Sequence, residues 1–389
     1  MPFVTSRRLA CLADSFFADL QRKRNALVAK GMKVIGLDIG NPDLSTPAHV
    51  IRALREAIDD PSNNRYPDQQ GTYGFRRTVA DWYRKRFQVQ LDPETEVLSL
   101  IGSKEGIAHA TLAFADPGTI AFLPDPGHPI YDAAAAISGA HPRHLPLRRE
   151  NGFLPDLKAI PRECLNGKAR VLWLNYPNNP TGATATRAFF SEVVGFATEH
   201  NLIVCHDNVY SEIFYNEVKP LSFLEIPGAR EIGLEFHSLS KTYNMAGWRI
   251  GFAVGNSTLI EGLKKIKSNV DAGAVSAVQA GAIAALGGDQ TAVAANRLIY
   301  KERRDILVEA LEKAGIECHL PDATFYLWPH VPRGFSSASF AERLLDELGI
   351  MVAPGSGFGA EGEGFVRLSL TVSTDQVREA ADRLSCLRG

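Results

Sequence analysis

The chain has 389 residues, enough for two domains and a large buried core. It is 45% hydrophobic and 22% charged, as ordinary globular enzymes are, and its formal net charge of -2 gives no electrostatic reason to bind nucleic acid or an anionic membrane. Five cysteines (Cys11, Cys164, Cys205, Cys318, Cys386) lie scattered without metal-ligand spacing, and no apolar run approaches the roughly 20 residues of a membrane span, so the expectation is a cytoplasmic protein with no metal site.

The first eight residues are basic, but the chain runs directly into Asp14 and Asp19 without an apolar h-region, so no secretory leader is expected. Gly40, in Asp38-Ile-Gly40-Asn-Pro-Asp43, would allow close backbone approach. A helix is predicted over 46–60, with Thr46 able to cap, Pro47 suited to the first turn, and Ile51, Leu54 and Ile58 on one face. Short apolar runs then alternate with helical segments: Val97–Ile101, Thr119–Leu123, Val171–Asn175, Leu202–His206, Leu234–His237 and Ile250–Val254. Each is bounded by Gly, Pro, Asn or Ser, as expected of strands buried on both faces. Such alternation implies crossovers and an α/β fold with a largely parallel sheet. After about residue 290 the pattern changes to a helix over 296–314, a strand over 324–328, a helix over 337–348 and a strand over 364–370, which reads as a smaller α+β domain. The resulting division is 1–45 as an N-terminal arm, 46–288 as a large domain and 289–389 as a small one.

Polar residues cluster at the predicted strand ends, where sheets of this kind place ligands. Gly102-Ser103-Lys104 follows one strand and opens a helix, so the N–H groups of Ser103 and Lys104 suit an anion. Asn175-Tyr-Pro-Asn-Asn179-Pro-Thr-Gly182 follows another and, taken alone, is only a good turn. Asp207 and Tyr210 follow a third, and His206 should face the opposite side of the sheet from Asp207. Arg367 interrupts an apolar strand, where a guanidinium calls for a carboxylate partner. The densest run is Ser238-Leu-Ser-Lys241-Thr-Tyr-Asn-Met-Ala-Gly-Trp-Arg249-Ile-Gly251, with one lysine between a hydroxyl and a guanidinium.

That run resembles the lysine motif of the class I/II (fold-type I) aminotransferases, which use pyridoxal 5′-phosphate, and the resemblance extends from about residue 14 to 385. It implies a PLP-binding large domain and a small domain joined by the N-terminal segment. It also implies a homodimer with shared sites, acting on a small amino acid and a 2-oxo acid. By this resemblance Lys241 carries the cofactor as a Schiff base and moves the substrate proton. Asp207 pairs with the pyridine nitrogen, while Tyr210 and Asn179 approach the phenolic oxygen. The phosphate is held by Ser103, Lys104, Ser238 and Arg249, with Tyr66 from the other subunit. Tyr131, in Asp125-Pro-Gly-His128-Pro-Ile-Tyr131, matches the aromatic that stacks on the ring, and His128 stands where tyrosine is commoner in the family. Arg367 binds the substrate α-carboxylate, with Gly40 and Asn179 alongside.

Tyr66-Pro-Asp-Gln-Gln-Gly71, Gly102-Ser-Lys-Glu-Gly-Ile107 and Glu235–Met245 are similar to segments of the LL-diaminopimelate aminotransferases, which implies lysine biosynthesis with 2-oxoglutarate and glutamate as the other pair. Members often place Glu shortly after the tyrosine equivalent to Tyr66; here Gln69 and Gln70 stand there and would read the distal head of the substrate as amides. The alternatives are an alanine or aspartate aminotransferase of broader specificity, a carbon–sulfur lyase, or a PLP-binding regulator. The last is disfavoured because Lys241 is intact and no stretch before the fold is long enough for a DNA-binding domain.

Overall fold

The computed structural model describes residues 5–12, 16–217 and 219–387. Its strands are β1 (Ile35–Gly36), β2 (Val97–Leu100), β3 (Ile120–Asp125), β4 (His141–Pro146), β5 (Ala169–Asn175), β6 (Ile203–Asp207), β7 (Gly233–Ser238), β8 (Gly251–Gly255), β9 (Tyr326–Leu327), β10 (Ile350–Met351), β11 (Ala353–Pro354) and β12 (Val366–Ser369). Seven form the central sheet in the order β2-β8-β7-β6-β5-β3-β4. Pairings from β4 through β7 are parallel, whereas β8 runs antiparallel to both β7 and β2.

Five of the predicted strands reappear with shifts of one or two residues at their ends, and the Thr119–Leu123 run extends to Asp125. The edge strand β4 was not foreseen. Its sequence, His-Pro-Arg-His-Leu-Pro, lacks apolar alternation, and only an edge tolerates two prolines in a strand. Alternation in the interior strands divides them between two packed faces. Trp173, Cys205, Leu234 and Phe236 point to one face with Tyr131, and Leu172, Leu174 and Val204 to the other with Phe190 and Phe223.

The helix expected over 46–60 spans Ala48–Asp59, and its start differs from expectation: Pro47 is the N-cap, with no side-chain cap bond. Thr46 instead donates its hydroxyl to the Asn244 carbonyl, tying this helix to the segment after Lys241. The helix expected over 296–314 begins earlier than its pattern suggested, running Thr291–Lys313, and Ser337–Leu348 matches its expected span.

Beyond residue 320, β11, β12 and β9 form an antiparallel sheet in that order, with β12 central. β1 pairs in parallel with β10 through Ile35↔Ile350 and Gly36↔Met351, and Ser369 N–H donates to the Leu37 carbonyl at 2.7 Å. These pairings carry the strand leading to Gly40 alongside the strand that bears Arg367. A separate apolar core formed by Leu307, Phe325, Phe340, Leu344 and Leu368 holds this part together. Among the described residues, no helix is long and apolar enough to cross a membrane.

Candidate active site

The parallel register brings the carboxyl ends of β5 and β6 into line, with Asn175 beside Asp207, and the antiparallel pairing of β8 sets its first residue, Gly251, beside Ser238 at the end of β7. Together with the turn after β2 and residues from β9 and β12, these ends surround a cavity of about 230 Å³. Lys241, Asp207, Tyr210, Asn179, Ser103, Lys104, Ser238, Arg249, Gly40 and Arg367 all line it. A more open cleft of about 720 Å³ lies elsewhere, but its arginines, Arg86, Arg187 and Arg230, are already paired with Glu212, Glu225 and Glu96.

Lys241 sits in the short Leu239–Thr242 helix directly after β7, and its Nζ donates to the Gly40 carbonyl at 3.1 Å. Burial, reinforced by the nearby Arg367 and Arg249 charges, pushes its pKa down to about 8, against an opposing pull from Asp207. A substantial fraction of the amine is therefore neutral and nucleophilic near physiological pH.

Asp207 is buried at the end of β6. Its Oδ2 accepts a hydrogen bond from the Tyr131 hydroxyl at 2.8 Å, while Oδ1 has no partner among the described residues. Burial raises its pKa to about 6, opposed by the Tyr131 bond and by the His206 and Lys241 charges. An acceptor oxygen left without a partner in a buried site costs about 1–3 kcal/mol, and it is satisfied only by a donor that enters the cavity. His206 faces the other side, as strand alternation requires, with Nδ1 2.8 Å from Glu235 and Nε2 2.9 Å from the Tyr176 carbonyl.

At the opposite end, Gly102 (φ 85°) turns the chain from β2 into the Ser103–Phe114 helix. The torsion favours glycine, and a Cβ there would also push the guanidinium of Arg249 out of its place. Arg249 is itself left-handed (φ 56°) and donates to the Ile101 carbonyl at 3.3 Å. The helix N-terminus, the Ser238 and Ser240 hydroxyls and Arg249 together make an anion cup.

Arg367 reaches the cavity from β12. It donates to Asn179 Oδ1 at 2.8 Å and to the Asp38 carbonyl at 2.7 Å, and lies over the rings of Tyr326 and Phe358. Burial lowers its pKa, though as a guanidinium it stays charged. Gly40 is needed here because any Cβ would collide with the Tyr326 hydroxyl.

Three placements differ from the sequence-based expectation. Tyr131 does not line the cavity; it stands behind Asp207 with its ring against Trp173. His128, three residues earlier and just before the helix, lines the cavity instead, and burial and the cations around it depress its pKa to about 3, so it is neutral. Gln70 is buried and donates its amide to the carbonyls of Glu94 (2.7 Å) and Val97 (3.3 Å). Turning it toward a substrate would leave those carbonyls unpaired, at about 1–3 kcal/mol each, so Gln70 is a structural brace and only Gln69 remains exposed. Tyr66 is 91% exposed and contributes nothing to the cavity of its own subunit.

The sequence reading also overlooked cavity residues. Tyr326 lines the site, with its hydroxyl 3.2 Å from that of Tyr210. Asn175 clamps the Asp207 carbonyl through Nδ2 at 2.8 Å and accepts from the Asn179 N–H at 2.8 Å. Asn175 ended a predicted strand beside the Asn179 turn, and that position was the signal that could have found it.

The geometry therefore offers a poised amine, a buried carboxylate awaiting a donor, an anion cup and a guanidinium across one small cavity. Comparison with known proteins agrees. Residues 32–384 match the family model for aminotransferases of class I and II. The chain is 52% identical over 384 residues to an LL-diaminopimelate aminotransferase of Syntrophobacter fumaroxidans, covering 99% of each chain. It is 50% identical to one from Aquifex aeolicus, covering 99% of this chain and all of that one. Its structure superposes on a probable N-succinyldiaminopimelate aminotransferase from Thermus thermophilus with a TM-score of 0.90 at 38% identity, covering 95% of this chain and 99% of that one. The chain belongs to the class I and II aminotransferases and is a pyridoxal 5′-phosphate-dependent transaminase.

Proposed function

We propose that this enzyme transfers the amino group of LL-diaminopimelate to 2-oxoglutarate, a step of lysine biosynthesis. The observation that carries this substrate is the full-length identity of about 50% to enzymes of that name.

The residues present fit the cofactor. The unpartnered Asp207 Oδ1 matches a protonated ring nitrogen, and the cup of Ser103, Lys104, Ser238 and Arg249 matches a phosphate. When bound, pyridoxal phosphate supplies an electron sink for the electrons of the substrate Cα–H bond. Asp207 holds a proton at the ring nitrogen. Tyr210 and Asn179, both on the cavity wall, would hold the phenolic oxygen. His128 stands in place of Tyr131 as the aromatic ring on the cavity wall. Lys241, whose burial near two guanidinium groups lowers its pKa to about 8 and leaves a fraction of the amine neutral, would hold the cofactor covalently and then take the proton from the substrate Cα. Arg367, held by Asn179 and Asp38, orients the α-carboxylate, and the Lys104 side chain supplies a second cation in the same cavity for a diacid.

The substrate is tested by comparing catalytic efficiency for LL-diaminopimelate, glutamate, alanine and aspartate with 2-oxoglutarate or pyruvate. LL-diaminopimelate is expected to lead. Because Gln70 is engaged in its own subunit and Gln69 carries no charge, the margin should be narrower than a carboxylate at that place would give. Should alanine or aspartate win by more than about tenfold, roughly 1.4 kcal/mol of transition-state binding, the diaminopimelate reading fails and a broader aminotransferase stands.

The working form in this reading is a cytoplasmic homodimer in which exposed Tyr66 completes the partner's phosphate site. Subunits of inactive Lys241→Ala and inactive Tyr66→Ala, mixed and exchanged, should regain activity, since one site of each hybrid has both residues intact. A fully active monomer in sedimentation at assay concentration would contradict the shared site.

A further inference from the structure

Behind the anion cup lies a buried charge cluster with no direct contact to the cavity. Lys267, in the Ser257–Val270 helix, is fully buried. Its Nζ donates to Glu105 Oε1 at 3.1 Å and to both oxygens of Asp271, at 2.7 and 3.0 Å. His109 Nδ1 lies 2.8 Å from the same Glu105 oxygen. Glu105, His109 and Asp271 bring ligand atoms within 4.8 Å of one another, a spacing that would suit a metal ion, but the cation they hold is the lysine ammonium.

Each carboxylate of this cluster also holds backbone. The other oxygen of Glu105, Oε2, accepts the Ile101 N–H at 2.9 Å, bridging the turn Ile101–Glu105 that presents Ser103 and Lys104. Asp271 Oδ1 accepts the Gly273 N–H at 2.7 Å. Gly273 (φ 95°) packs so closely on the backbone of Asp68 and Gln69 that a Cβ would come within 3.2 Å of the Asp68 carbonyl. Gln279 continues this brace, accepting from the Thr72 N–H at 2.7 Å and donating to the Ala274 carbonyl at 2.7 Å. Lys267 thus joins the cup of its own subunit to the segment that carries Tyr66.

We infer that Lys267 is a positioning residue that fixes the phosphate-binding turn and, through Asp271, the Tyr66 arm in one frame. The inference rests on the reading that the turn and Tyr66 bind cofactor phosphate. Without the ammonium, two partly buried carboxylates face each other with no cation between them, and each moves to find a donor or solvent. Both movements displace donors from the phosphate, while Arg367 and Asn179, on other elements, stay in place.

The test is reconstitution of apoenzyme with pyridoxal phosphate, read as the cofactor dissociation constant for Lys267→Met, Glu105→Gln and a control, Arg249→Gln. Lys267→Met should weaken cofactor binding at least tenfold and Glu105→Gln by a smaller factor. The KM for the amino donor at saturating cofactor should stay within about twofold of wild type. A purely structural lysine would lower the melting temperature of the apoenzyme and leave the dissociation constant within twofold, and that result overturns the inference. If Lys267→Met does not fold, Glu105→Gln decides alone: unchanged cofactor affinity overturns the inference and weakened affinity supports it. If Arg249→Gln also binds cofactor normally, the phosphate reading itself is wrong and this inference falls with it. Loss in Arg249→Gln alone refutes only the role of Lys267.

Discussion

Lys241→Ala is expected to bind pyridoxal phosphate through the Arg249 cup and the Asp207 contact, yet to lose transamination by about 10,000-fold or more, because in the proposed mechanism one side chain supplies both the covalent link and the proton transfer. The electrostatics of the site give the reason. The Lys241 pKa falls to about 8 because burial and the Arg367 and Arg249 charges disfavour the ammonium. The sign is fixed: below about pH 8 the amine is mostly protonated, and above it mostly neutral. Capture of the aldehyde by the apoenzyme should therefore speed up as pH rises and level off above about 8. Borohydride reduction of the holoenzyme should leave a phosphopyridoxyl group on the peptide containing Lys241. A label on Lys104, the other lysine lining the cavity, would refute the assignment.

The second large effect is expected at Asp207. Its Oδ2 is fixed by Tyr131 and its backbone carbonyl by Asn175, so the unpartnered Oδ1 is held in one place. Burial raises its pKa to about 6 in the protein alone, and a cationic N–H placed against it would favour the ionised form and lower that value. Asp207→Asn keeps the shape but carries no charge to hold a proton on the ring, and Asp207→Ala removes both shape and charge. In either variant the half-reaction with amino donor should slow by about 100- to 1,000-fold or more, as when a preorganised electrostatic partner is lost from an active site. Single-turnover absorbance measurements separate this from weaker binding. A near-normal rate in Asp207→Ala would mean that a different carboxylate does this work.

Most cavity residues were legible because they stand at strand ends. Each interior strand announces itself as a short apolar run, and the parallel sheet then aligns the carboxyl ends, bringing Asn179, Asp207, Ser238 and Lys241 together from points over 60 residues apart. Strand alternation likewise settled from sequence that His206 faces away from Asp207, where it meets Glu235. The Glu235 carboxylate is penalised by burial, but hydrogen bonds from His206 and His237 overcome that penalty and hold its pKa well down.

What the sequence by itself determined was the α/β class, the strands of the central sheet except for its polar edge, and the chemical groups available at the strand ends, because these depend on local periodicity and on the chemistry of single side chains. Tertiary structure alone decided which of two similar groups reaches the cavity. His128 and Tyr131 are three residues apart, and only the packing of the turn before the helix and of its first residues puts one on the cavity wall and the other behind Asp207. Gln69 and Gln70 are adjacent amides, and the path of β2 places the Glu94 and Val97 carbonyls within reach of only the second. Lys267 read as one more helix lysine, and its burial between Glu105 and Asp271 follows from how two helices meet, a contact 162 residues apart in the chain. Periodicity reports which face of an element is buried; which partners it meets there depends on packing between elements that are distant in the chain.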